Sequence, residues 1–139
     1  MWTKANQNSE HQRRSREAGV RRIRDRMRTN PNRVGMQLRG ALLRVPCESV
    51  QYEYETKDDD GNSRWYSACV RIRGKDILID AFTPRVGGGI PNEEKARRRA
   101  KVEWCKKHGI PYLPMTINNS QKMELAIRDY IRRLFRNAE

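Results

Sequence analysis

Long apolar runs are missing from this sequence. No stretch approaches the roughly 18 consecutive apolar residues of a membrane span. The opening residues, MWTKANQNSEH, contain no apolar segment of the kind that marks a secretory leader, so a cytoplasmic location is expected. Cysteine is scarce and odd in number. Cys47, Cys69 and Cys105 are widely spaced with no Cys-x2-Cys pair, which argues for free, partly buried thiols rather than a disulfide framework. The two histidines, His11 and His108, stand far from each other, so a structural zinc site has little support. Acidic residues are also short in supply, 17 Asp and Glu against 30 Lys and Arg.

That imbalance is the strongest signal in the chain. A net charge of +13 on 139 residues predicts an extended anionic partner, most often nucleic acid. With a mean hydropathy of −1.01 and 36% hydrophobic residues, a core requires the apolar residues to be concentrated in part of the chain. The charge is uneven too. Residues 1–46 hold 12 basic and 3 acidic side chains, and residues 47–139 hold 18 and 14. The densest segment, RRSREAGVRRIRDRMR over 13–28, carries eight arginines: Arg13, Arg14, Arg16, Arg21, Arg22, Arg24, Arg26 and Arg28. Val20, Ile23 and Met27 give it a thin apolar stripe at helical spacing. Gly19 weakens such a helix by about 1 kcal/mol, and like charges four apart oppose it. The expectation is an arm, residues 1–33, that frays alone and is ordered by phosphates, followed by a folded domain over 34–139.

Within that domain the pattern predicts a mixed α/β (α+β) fold. A short helix from Val34 to Arg44 carries Leu38, Ala41, Leu42 and Val45 on one side. A three-stranded meander over 50–82 follows, with Val50, Tyr52 and Tyr54 expected on one buried face. Asp58-Asp59-Asp60-Gly61-Asn62 and Arg73-Gly74 are its turn signals. The third strand, DILIDAF, is apolar except for Asp80. A glycine loop, Gly87 to Gly89, lacks the phosphate-cradling P-loop pattern. A helix over 92–108 is expected to be capped by Asn92 and buried along Ala96, Ala100 and Trp104. Its basic residues Lys95, Arg97, Arg98, Arg99 and Lys101 then form an exposed face. A short strand over 110–115 and a helix from Asn118, with Gln121 at the capping-box position, close the chain.

The parts GMQLRGALL, YEYE, WYSACVRIRGKDILIDAF and KVEWCKKHGIPYLPM resemble, in order and local pattern, the PD-(D/E)xK nuclease superfamily. The likeness is to its very-short-patch-repair-like branch, which includes phage and homing endonucleases, and it covers residues 34–116. It implies a restriction-endonuclease-like core, DNA as partner, and a phage-encoded protein acting in the host cytoplasm. In that superfamily two carboxylates hold a divalent metal such as Mg2+, and a lysine stabilises developing charge. Mapped here, the second acid falls on Asp80 and the lysine slot on Phe82. The first aspartate slot falls on Cys69, with Ala68 in the proline slot. Glu53, Glu55 and Asp76 are the nearest substitutes for the missing acid, Lys95 or Lys101 for the missing lysine, and His108 closes the same helix.

The sequence therefore points first to a DNA-binding protein on a nuclease-like fold with degenerate catalysis. Phosphates are contacted by the arginine arm and the Lys95–Lys101 face. One alternative is an active Mg2+-dependent endonuclease using Asp80 as metal ligand with Glu53 or Glu55, and Lys101. Another is a structural RNA-associated protein. DNA is favoured over RNA, since no RNA-recognition aromatic motif is present.

Overall fold

The chain divides into two units, residues 1–31 and 32–139, and a computed structural model describes residues 4–84 and 89–136 of it. Gly87 and Gly88 of the expected loop lie outside the described residues.

The first unit holds one helix, α1 (Lys4–Thr29). It extends well beyond the arginine segment, because residues with no breaker precede it. Two of its three apolar stripe residues, Val20 and Ile23, are exposed. Within the helix, Asp25 pairs with Arg28 one turn on.

The second unit runs α2 (Arg33–Leu42), β1 (Ser49–Lys57), β2 (Ser63–Ile72), β3 (Lys75–Ala81), α3 (Asn92–Lys107), β4 (Tyr112–Met115) and α4 (Ser120–Phe135). The expected order of elements is the observed one. Asn32 caps α2, its side chain accepting from the Gly35 N–H at 2.8 Å. The strands form one mixed sheet in the order β1-β2-β3-β4. The first three pair antiparallel, and β4 returns through α3 to pair parallel with β3. The β2–β3 turn has only Arg73 and Gly74 between the Ile72–Lys75 pair, both at positive φ (51° and 76°), the two-residue geometry that matches strand twist.

One sheet face carries the main core. Ala68, Val70, Ile72, Ile77 and Ile79 pack there against Leu38, Ala41 and Leu42 of α2 and Met123, Ile127 and Phe135 of α4. Gly40 lets the two helices approach. A Cβ there would lie 3.3 Å from Ser120 Oγ, which donates to the Gln37 carbonyl at 2.9 Å. The other face carries a smaller cluster under α3: Tyr66, Cys69, Leu78 and Cys105.

Three expectations are corrected. Tyr52 and Tyr54 do not share a face; Tyr52 joins the α2/α4 core and Tyr54 the α3 cluster. Strict alternation forbids that, so the pleat must break between them, and Glu53 there has φ 50°. The helix caps also differ. Pro91 precedes α3 with no side-chain cap, and Asn119 caps α4, accepting from the Lys122 N–H at 3.0 Å. Gln121 is thus one position short of a capping box. The third correction concerns the face that α3 buries: Ala96 is exposed, Ala100 and Trp104 are half-buried, and only Cys105 is buried.

Candidate functional site

The residues of α3 that turn toward the sheet are Glu94, Arg98, Lys101 and Cys105, spaced at i, i+4, i+7 and i+11. Three of the four are ionic, which is why a hydrophobic pattern search picks the wrong seam. They meet Asp80, the one charged residue inside the apolar strand β3, whose side chain is 4% exposed.

Asp80 is fully engaged. Lys101 Nζ donates to Oδ2 at 2.9 Å, and the Tyr112 hydroxyl donates to the same oxygen at 2.5 Å. The Ser67 N–H donates to Oδ1 at 2.9 Å, with Ser67 Oγ at 3.4 Å. Lys101 also donates to the Trp65 carbonyl and lies 4.8 Å from the centre of the Tyr66 ring. The charge is thereby paired and hydrogen-bonded, the condition for a carboxylate to lie in a core.

The same contacts give Asp80 a structural task. The recorded β2–β3 pairs end at Ala68 and Ile79. Beyond them the Asp80 carboxylate takes the Ser67 amide, and Ser67 Oγ accepts from the Ala81 N–H at 3.1 Å. Side chains complete the junction where the ladder stops. Ser67 also lies opposite Glu53 by the β1–β2 register, so the irregularity crosses both strands at one level. Burial, and next the Asp80 charge, push the Tyr112 hydroxyl far above its ordinary pKa. Burial does the same to Tyr66, whose hydroxyl lies 3.7 Å from Cys105 Sγ.

The remaining expected site residues are scattered. Cys69 pairs across the strands with Leu78, so both positions fall in the apolar cluster. Burial pushes the Cys69 thiol up to about 11. Glu53 is 8% exposed. Glu55 is held at the hairpin end, accepting from Ser63 Oγ at 2.5 Å with Lys57 Nζ at 3.7 Å. Asp76 pairs with Arg71 at 3.1 Å, and Arg71 reaches Glu48 at 3.5 Å. His108 ends α3, stacked on Trp104 with Nε2 3.3 Å from Asp59. Among the described residues, no three His, Cys, Asp or Glu side chains converge as a metal site would require. The Mg2+ that the family resemblance implies does not fit Asp80's surroundings. An ammonium, a phenol and a serine fill them, and no second carboxylate bonds into the group.

The basic face of α3 is smaller than the sequence suggests. Lys95, Arg97 and Arg99 are exposed. Arg98 instead bonds Glu94 at 2.8 Å and stacks 3.9 Å from the Phe82 ring centre, and Lys101 is bound to Asp80. Those two face the sheet, not a phosphate backbone. In α1 the eight arginines of 13–28 share the segment with only Glu17 and Asp25. No helix among the described residues is long and apolar enough to cross a membrane.

The fold and site thus define an α+β domain of four helices and a four-stranded mixed sheet, centred on a buried Asp–Lys pair and accompanied by an arginine-rich helix. Comparison with family models, curated proteins and solved structures finds no match in any of the three.

Proposed function

We propose that the protein binds nucleic acid, DNA in preference to RNA, on a restriction-endonuclease-like core whose catalytic set has been replaced by structural contacts. The observation that carries the binding is the charge of α1: eight arginines against two acids over 16 residues. That density matches a phosphate backbone better than any pairing within the chain. Lys95, Arg97 and Arg99 on α3 supply a second basic surface. The restriction-endonuclease-like reading is supported by the helix, three-strand meander, helix and parallel strand of α2 to β4. The loss of catalysis is supported by the state of the Asp80 carboxylate, whose oxygens are occupied by Lys101, Tyr112 and Ser67.

One observation favours the alternative of an active endonuclease: Lys101 arrives from α3 beside Asp80, supplying the lysine that Phe82 does not. Incubation with supercoiled plasmid and Mg2+ or Mn2+, with Asp80→Ala as control, separates the two. Binding without nicking is expected. Metal-dependent nicking that the substitution abolishes would overturn the degenerate reading. Anisotropy titration of a labelled duplex over a range of salt tests the binding itself. Affinity that does not fall with salt would refute phosphate contact.

A further inference from the structure

The α3 face of the sheet is covered only in part. Beyond the Tyr66–Cys105 cluster, where α3 ends, a groove of about 370 Å3 opens over the sheet. Tyr54, Cys69, Leu78, Trp104 and Ile110 line it, with Lys75 at its edge. Its volume falls within the roughly 300–1,000 Å3 of small-molecule sites. A groove walled by a tyrosine, a tryptophan and aliphatic side chains suits a flat aromatic ring. Trp104 adds a polar requirement. Its indole Nε1–H is buried and has no hydrogen-bond partner. Buried donors are nearly always satisfied, so an orphan in the residue that walls a groove calls for an acceptor from outside the chain.

We propose that this groove captures one unpaired nucleobase of a bound strand, Trp104 and Tyr54 supplying ring contact and Trp104 Nε1–H meeting a ring nitrogen or carbonyl of the base. A nucleobase is the ligand that joins a flat π-face to such acceptors. The chain's net charge of +13 favours the phosphates on either side of it. Lys75 is placed to meet one of them. The inference rests on the nucleic-acid reading above and adds base contact to phosphate contact. The base must already be unpaired or be unstacked on binding.

The test uses the full chain and a short single-stranded DNA carrying 2-aminopurine at its centre, beside a strand of equal length and charge with abasic spacers. The intact strand is expected to bind about 5- to 150-fold more tightly than the abasic one, the range for one base–aromatic stack, and 2-aminopurine emission should be quenched. Trp104→Ala should erase both effects while leaving the abasic strand's affinity unchanged. Ile110→Trp, which fills the groove, should do the same in a chain that keeps its indole. Equal affinity for intact and abasic strands in the wild type would overturn the proposal while leaving phosphate binding in place. Failure of both strands to bind would overturn the nucleic-acid reading and this inference with it. Equal quenching by free 2-aminopurine nucleoside monophosphate at the same concentration would overturn capture from a strand.

Discussion

Replacing Lys101 by methionine tests the Asp80 cluster most directly. The substitution keeps the length of the side chain and removes the ammonium. Asp80 is then left with its Tyr112 and Ser67 donors and no counter-charge, in a position where only 4% of its side chain meets solvent. Removing one partner of a buried pair costs about 3–5 kcal/mol. Two features act against each other here. The hydroxyl and amide that remain soften the loss, and the Trp65 carbonyl loses its donor as well. The expected destabilisation is about 3 kcal/mol, a large share of the roughly 5–15 kcal/mol of a small domain. Asp80→Asn should cost less, about 1–2 kcal/mol. Its carbonyl still accepts from the Ser67 amide, and Lys101, 15% exposed, can turn toward water. The double variant should be more stable than the sum of the two losses predicts, by about 1.5 kcal/mol or more. Urea melts at fixed m-value read all four proteins. The coupling should also persist in 1 M NaCl, because a buried pair is little screened. A Lys101→Met loss below about 1 kcal/mol, or additive single losses, would refute the buried pair.

Deleting residues 1–29 removes nine of the 30 basic side chains and none of the core, so the urea midpoint should hold while the log–log salt slope of DNA binding flattens by several units. An unchanged slope would exclude α1 as the main phosphate contact. Leu38→Ala, at a 1% exposed site between α2 and the sheet, should cost about 3–5 kcal/mol in a urea melt, whereas Leu43→Ala, 86% exposed, should stay within about 0.5 kcal/mol. Equal effects would mean that α2 is turned the wrong way. In thiol labelling at pH 8, Cys47 should react first, and Cys69 and Cys105 only on unfolding. Burial raises the Cys69 pKa from 9.0 to about 11, so the neutral thiol favours the folded state. That contribution is whole below pH 9 and is lost as pH rises through 11. Urea midpoints from pH 8 to 11 should therefore fall more steeply for wild type than for Cys69→Ala.

The order of elements was legible because each one carries its own local signal. Asn32 before a helical stripe, the Arg73-Gly74 turn and the apolar run of β3 all act over a few residues. The four-strand sheet followed from that order, since a meander and one helical crossover leave few arrangements. What sequence periodicity missed is the α3 side of the sheet, for one physical reason. Hydrophobic patterning finds a buried face only when burial is apolar. Glu94, Arg98 and Lys101 are turned inward because each has a fixed partner: Arg98 for Glu94, the Phe82 ring for Arg98, and Asp80 for Lys101. Asp80 could be read as a misfit in β3, and Lys101 as one of two lysines able to reach it. The choice between Lys95 and Lys101 needed the rotation of α3 about its axis, which no seam of alanines specified.

The break at Glu53 was invisible for a different reason. Val50, Tyr52 and Tyr54 alternate as a regular strand does, and nothing in that pattern marks a positive φ on a glutamate. The signal lies in the partner strands, at Ser67 and Asp80, and only the register brings the three to one level. That level is also where the resemblance to nucleases places its second acid. The carboxylate that the resemblance would give to a metal is spent here on an ammonium and on ending a strand ladder. If the Asp80–Lys101 pair is the reason the sheet tolerates an irregular β1 and β2, then Asp80→Asn should loosen Ser67 and Glu53 before it loosens the α2/α4 core. Amide hydrogen exchange of the folded variant reads this. Faster exchange at Ser67 and Ala81, with Val70 and Ile77 unchanged, is the expected result. Uniform acceleration across all strands would show instead that Asp80 supports the whole sheet rather than one junction.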